Sequence, residues 1–135
     1  MRLLLVLAGS ATLLVGCRSA SPVAQAPQNP QTQMLARAWR HSQEEDQGSV
    51  QVYRPASYSF PPARGREGIT FEPTGRLTKF VIAPTDGLLP LPGQWTWDNA
   101  HVVHLRVAGP PAQSYRLKIV ELTPDMLKVS RIDPR

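Results

Sequence analysis

Five groups of residues in this chain have types and spacings that could do chemistry. Cys17 is the single cysteine. With no second thiol, one chain can make neither an internal disulfide nor a thiolate metal site. Arg64 and Arg66 flank Gly65. Two guanidiniums so placed could grip a carboxylate or a phosphate, and an exposed loop is the other reading of the same residues. His101 and His104 are three apart, which on a strand puts them on opposite faces and prevents joint chelation. His41 stands alone. Glu44-Glu45-Asp46, running into Gln47-Gly48, reads as a solvated hairpin tip. A calcium loop would need more oxygen ligands at alternating spacing. Asp98 and His101 bracket a turn without a serine in a defining context. No nucleophile elbow, phosphate loop or paired-cysteine motif is present. No catalytic residue, metal or cofactor is therefore expected, and the chain is not expected to be an enzyme.

Cys17 is positioned by what precedes it. Arg2 supplies a basic start, Leu3 to Val15 an apolar run, and Gly16 a small residue before the cysteine. That is the layout of a secretory signal. The run is shorter than the roughly 20 residues a membrane-spanning helix needs. Leu14-Val15-Gly16-Cys17 resembles the lipobox of bacterial lipoproteins. The resemblance implies that the Cys17 thiol takes a diacylglycerol, that the chain is cut just before it, and that the new amine is acylated. Two or three acyl chains, at about 0.8 kcal/mol per buried methylene, hold a protein on a membrane stably. The expected location is a bacterial cell envelope. Arg18 is not the aspartate of an inner-membrane retention signal, which in a Gram-negative host favours the outer membrane, facing the periplasm.

Residues 1–16 thus read as signal, and Cys17 to Gln33 as lipidated cysteine and disordered tether. Arg18 to Gln33 is rich in Ser, Pro, Ala and Gln and poor in bulky apolar side chains, so it cannot order itself by burial. Its relaxed span is roughly 20–25 Å. Met34 to Arg135 is enough for one small core. The formal charge is +5, which favours anionic surfaces such as lipid head groups or polyanionic glycans and equally serves solubility. The basic residues are scattered, and nucleic acid is not an expected partner in this compartment.

From Val50 onward the pattern is short alternating segments punctuated by turn signals. Strands are read at Val50 to Arg54, Ile69 to Phe71, Arg76 to Ala83, Gly93 to Asp98, His101 to Val107, Tyr115 to Ile119 and Met126 to Ile132. The predicted fold is all-β, a small antiparallel up-and-down meander barrel of about eight short strands, because connections this short force sequential hairpins. Two stretches interrupt it. Tyr53 to Glu67 holds Pro55, Pro61 and Pro62, and Pro84 to Pro92 holds three prolines with Leu88, Leu89 and Leu91. Proline is excluded from central strands, so both read as loops or edge segments. Loops at a barrel mouth are where binding residues usually sit.

Leu35-Ala36-Arg37-Ala38-Trp39 resembles the Leu-x-Gly-x-Trp opening of lipocalin-like domains, matching at Leu35 and Trp39. Gly93-Gln94-Trp95-Thr96-Trp97 is similar to the Gly-x-Trp strand of small bacterial lipocalin-like domains, with Phe71 to Arg76 as the intervening hairpin. The resemblance covers about Leu35 to Ile132 and implies a barrel whose first tryptophan seals the closed end. Trp39, Phe60, Phe71, Phe80, Trp95 and Trp97 crowd so small an interior, so a shallow cleft is expected rather than a spacious calyx.

Two functions follow as expectations. One is an envelope-anchored lipoprotein that binds a small apolar or amphiphilic ligand, with Arg64, Arg66, Leu88, Leu89 and Leu91 as candidate contacts. The other is a non-catalytic structural lipoprotein that docks another envelope protein and has a filled interior.

Overall fold

The computed structural model describes residues 29–132. Cys17, the signal segment and most of the tether lie outside the described residues.

The first element is a helix, α1 (Pro30–Leu35). Asn29 caps it, its Oδ1 accepting the Thr32 N–H at 2.7 Å, and Pro30 stands at the first helical position, where its fixed φ suits the helix and no N–H is missed. The helix therefore starts inside the stretch whose composition reads as tether. Composition missed it because one buried threonine and one leucine tie it down. Thr32 is fully buried and Leu35 almost so.

Eight strands follow: β1 (Ala38–His41), β2 (Val50–Pro55), β3 (Gly68–Phe71), β4 (Arg76–Ile82), β5 (Leu88–Asn99), β6 (Val102–Val107), β7 (Gln113–Thr123) and β8 (Met126–Ile132). A single 310 turn, Gln43–Glu45, lies between β1 and β2. The strands close into one barrel in the order β1-β2-β8-β7-β6-β5-β4-β3. Every adjacent pair is antiparallel. The fold is the small all-β antiparallel barrel that the alternation predicts.

The up-and-down order holds from β3 to β8 and changes at the start. β1 sits between β2 and β3, and β2 closes the barrel against β8. β2 and β3 therefore run in the same direction. Parallel neighbours or next-neighbours need a crossover of about a dozen residues, and residues 56–67 supply it. The one long connection is the place where sequential pairing fails. The crossover is pinned on β1 at both ends. Ala56 N–H donates to the Ala38 carbonyl at 3.0 Å, and His41 N–H donates to the Glu67 carbonyl at 2.9 Å.

The Pro84 to Pro92 stretch is not a loop throughout. β5 begins at Leu88 and is 12 residues long. Its first half pairs with β4, Lys79 facing Leu91 and Phe80 facing Pro90, while pairing with β6 begins only at Gly93. The Pro92 carbonyl accepts the Ala108 N–H at 2.8 Å, so the edges of Pro90 and Pro92 that lack N–H groups point away from β4. Pro90 thus sits where β5 has a free edge, and Pro92 where β5 meets the residue after β6 through its carbonyl alone, so neither interrupts the ladder to β4. An edge without donors is also a poor template for another strand.

The core is built from inward positions of all eight strands, with Trp39, Leu105 and Trp95 almost wholly excluded from water. One end is sealed by indoles. Trp39 Nε1 donates to the Leu35 carbonyl at 2.9 Å. Trp97 Nε1 donates to Thr32 Oγ1 at 2.9 Å, and Trp95 Nε1 to the Glu72 carbonyl at 3.0 Å. Each buried indole N–H thus has an acceptor. Phe71 and Trp97 meet Trp95 edge-on, at 5.5 and 6.0 Å between centroids. Helix α1 is the plug of this end, and Trp39, the tryptophan of the opening motif, packs there from β1.

Candidate functional site

The opposite end of the barrel is open and polar. A cavity of about 360 Å³ lies there between the β1–β2 connection and the inner faces of β2, β3, β4, β7 and β8. Its floor is apolar, made by Ile69 and Leu117, and its walls carry Gln51, Tyr53, Lys79 and Tyr115. Glu67 and Arg131 stand at its rim.

The topology explains why polar residues collect at this end. β2 and β7 start here, and β4 and β8 end here. Gln51 is at the first inward position of β2, Lys79 sits late in β4 after the buried Leu77, and Arg131 follows the buried Leu127 and Val129 in β8. Pairing places Ile69 opposite Lys79, Gln51 opposite Val129 and Leu117 opposite Arg131. The polar inward residues thus lie toward the end that carries the β1–β2 connection, each facing an apolar partner across the ladder.

The electrostatics are uneven. Tyr115 is buried, and its ring carries two cations: the Arg131 guanidinium at 4.4 Å and the Lys79 ammonium at 5.2 Å from the centroid. Cation–π attraction of this kind is worth about 0.5–2 kcal/mol. Lys79 Nζ reaches Gln113 Oε1 at 3.5 Å. Among the described residues no carboxylate lies within ion-pair distance of it. Burial pulls the Lys79 pKa below the usual lysine value; Glu67 opposes that shift and Arg131 adds to it. Burial pushes the Tyr115 phenol up to about 12, and burial raises the Tyr53 phenol as well. Both phenols are neutral donors and acceptors near pH 7. The Tyr53 ring stacks on His41 at 5.1 Å. His41 Nε2 lies 2.9 Å from Asp46 Oδ2, and Asp46 Oδ1 accepts the Val52 N–H at 2.9 Å.

The residues singled out from sequence fall elsewhere. Arg66 is a structural clamp. It meets Glu44 in two contacts of 2.5 and 2.9 Å, donates to the carbonyls of Pro61 and His41, and stacks over Phe60 at 4.7 Å. A guanidinium so engaged is not free to grip a ligand. Arg64 is exposed on the crossover. The neighbouring Gly65 abuts Ile82, and Ile82 pairs with Leu88, so this part of the crossover lies against the outside of the β4–β5 hairpin. Leu88 and Leu89 are exposed, at 43% and 46%. Leu91 packs against the core. The five residues thus share one rim without forming one pocket.

The acidic run is largely exposed in the β1–β2 connection, as a solvated tip would be, but each of its carboxylates is paired. Glu44 holds Arg66, Glu45 holds Arg54 at 2.6 Å, and Asp46 holds His41. Hydrogen bonds from Arg66 and Arg54 hold the carboxyls of Glu44 and Glu45 down at about 2. Asp98 pairs with Arg116, not with His101. His104 Nε2 lies 2.7 Å from Ser114 Oγ on the outer face of the sheet. A shallow groove of about 570 Å³ follows that outer face between Pro92, Arg106 and Ser114. It lies outside the barrel wall, whereas the mouth is partly enclosed and carries half-buried charge.

Comparison with family models, with curated proteins and with solved structures gives no match for this chain.

Proposed function

We propose that this protein is an envelope-anchored lipoprotein whose barrel binds a small amphiphilic molecule at its open mouth. The observation that carries the reading is the mouth cavity itself: apolar at the floor, aromatic on the walls and charged at the rim. Its 360 Å³ is at the small end of the roughly 300–1,000 Å³ typical of ligand pockets. The interior beneath is filled by Trp39, Phe71 and Trp95, so the ligand is one ring or a short chain. Catalysis has no place in this reading. The anchor is Cys17, by its lipobox.

The test is native mass spectrometry of the protein with a lipid and metabolite extract of its envelope. A reproducible adduct, lost in a Gln51→Trp variant that fills the mouth but melts normally, supports the reading. Clean apo protein across extracts favours the second one, docking of another envelope protein. The apolar rim of Ile82, Leu88 and Leu89, each 43–49% exposed, favours that alternative.

A further inference from the structure

We infer that the mouth takes a small organic anion, an aromatic or short-chain carboxylate, with Lys79 as its counter-ion. The inference rests on the reading of the mouth as a binding site and adds the charge and class of what enters.

Lys79 is on the inner face of β4, opposite Ile69 on one side and Leu91 on the other. An inward lysine at this position interrupts an otherwise apolar alternation. Its neighbours do not compensate its charge. Gln113 offers one long contact, Tyr115 offers a ring face, and Arg131 brings a second positive charge to the same ring. The nearby acids are placed differently. Asp46 is held by His41 and by the Val52 amide. Glu67 influences Lys79 electrostatically from beyond ion-pair distance.

A partly desolvated ammonium without a contact carboxylate costs free energy that a bound anion recovers. The phenols of Tyr53 and Tyr115, kept neutral by burial, border the same cavity and can donate to a carboxylate oxygen. Ile69 and Leu117 receive the apolar part. A cationic ligand would meet the Lys79 ammonium beside the apolar floor, with Asp46 already engaged by His41 and Glu67 standing only at the rim, and is disfavoured there.

Three probes of one shape and different charge test this: benzoate, benzamide and benzamidine, titrated against the full chain by ligand-observed NMR. Benzoate is expected to bind at least tenfold more tightly than benzamide, and benzamidine not to bind. Lys79→Met should reduce benzoate to the benzamide level, and Lys79→Arg should retain most of the preference. Equal binding of benzamide or benzamidine, or a benzoate preference that survives Lys79→Met, overturns the anion assignment and leaves the binding mouth standing. Binding of none of the three overturns both.

Discussion

Thr32 accepts a hydrogen bond from the indole of Trp97, 2.9 Å away and 65 residues further along the chain. That bond fastens helix α1 across the base of the barrel. Thr32→Val keeps the shape and removes the acceptor, leaving a partly buried indole N–H unpaired. The expected cost is about 1–3 kcal/mol. Thermal melting together with Trp97 fluorescence checks it, and an unchanged melt would show that the helix is held by Leu35 alone.

Trp39 and Trp95 fill the base of the core and are 0% and 1% exposed. Replacing either with Ala should cost about 3–5 kcal/mol by cavity formation. Urea unfolding measures the loss. A shift of less than about 1 kcal/mol would mean that the site collapses around the gap.

Two glycines are fixed by close approach of backbone. A Cβ at Gly68 would lie 2.6 Å from the Trp39 carbonyl oxygen, and one at Gly93 would collide with the Arg106 carbonyl oxygen. Neither obstacle is a flexible side-chain end alone. Gly93→Ala should therefore destabilise despite the usual gain from removing glycine. Gly87, with nothing near its Cβ position, is the control, and its Ala variant should melt at or slightly above the parent.

Acid should loosen the crossover before it unfolds the barrel. The folded-state values of Glu44 and Glu45, about 2, lie below the ordinary 4.5. The stabilisation from a lowered carboxyl is complete above the unfolded value and is lost as pH falls through the folded one. The window is therefore about pH 4.5 to 2. Amide protection of residues 56–67, relative to intrinsic exchange, should fall across that window, and added salt should move the loss to higher pH, since these pairs are partly exposed.

Lys79 runs with the opposite sign. Burial lowers its pKa in the folded state, so its charge weakens folding near pH 7, and the deficit fades as pH rises toward the unfolded value of 10.5. Lys79→Met should raise the melting temperature at pH 7, and the gain should shrink above pH 10. A residue retained against stability is what a binding site leads one to expect.

The alternation of Leu77, Trp95, Val103 and Leu117 with polar neighbours was enough to read an all-β barrel, because a half-buried sheet imposes a period of two. The swap of β1 and β2 was not legible, since pairing across 80 residues leaves no local trace. Pro90 and Pro92 masked half of β5, because proline excludes a strand only where both edges are paired. The mouth was hidden for a related reason. Gln51, Lys79 and Arg131 each look like ordinary exceptions in their own strands, and only the closed topology brings them to one cavity. The arginine of the crossover, by contrast, advertised a binding role that its partners Glu44 and Phe60 occupy.

The seam between β2 and β8 has a kinetic consequence. Val50 pairs with Ser130 and Tyr53 with Leu127, while the hairpins from β3 to β8 need only near neighbours. Loop closure over so long a stretch is the slow, entropically expensive step. The C-terminal strand among the described residues, β8, is the one that shuts the cylinder on β2. Until β8 docks on β2, Tyr53 has no wall to face, and the chain stays an open, unfinished sheet.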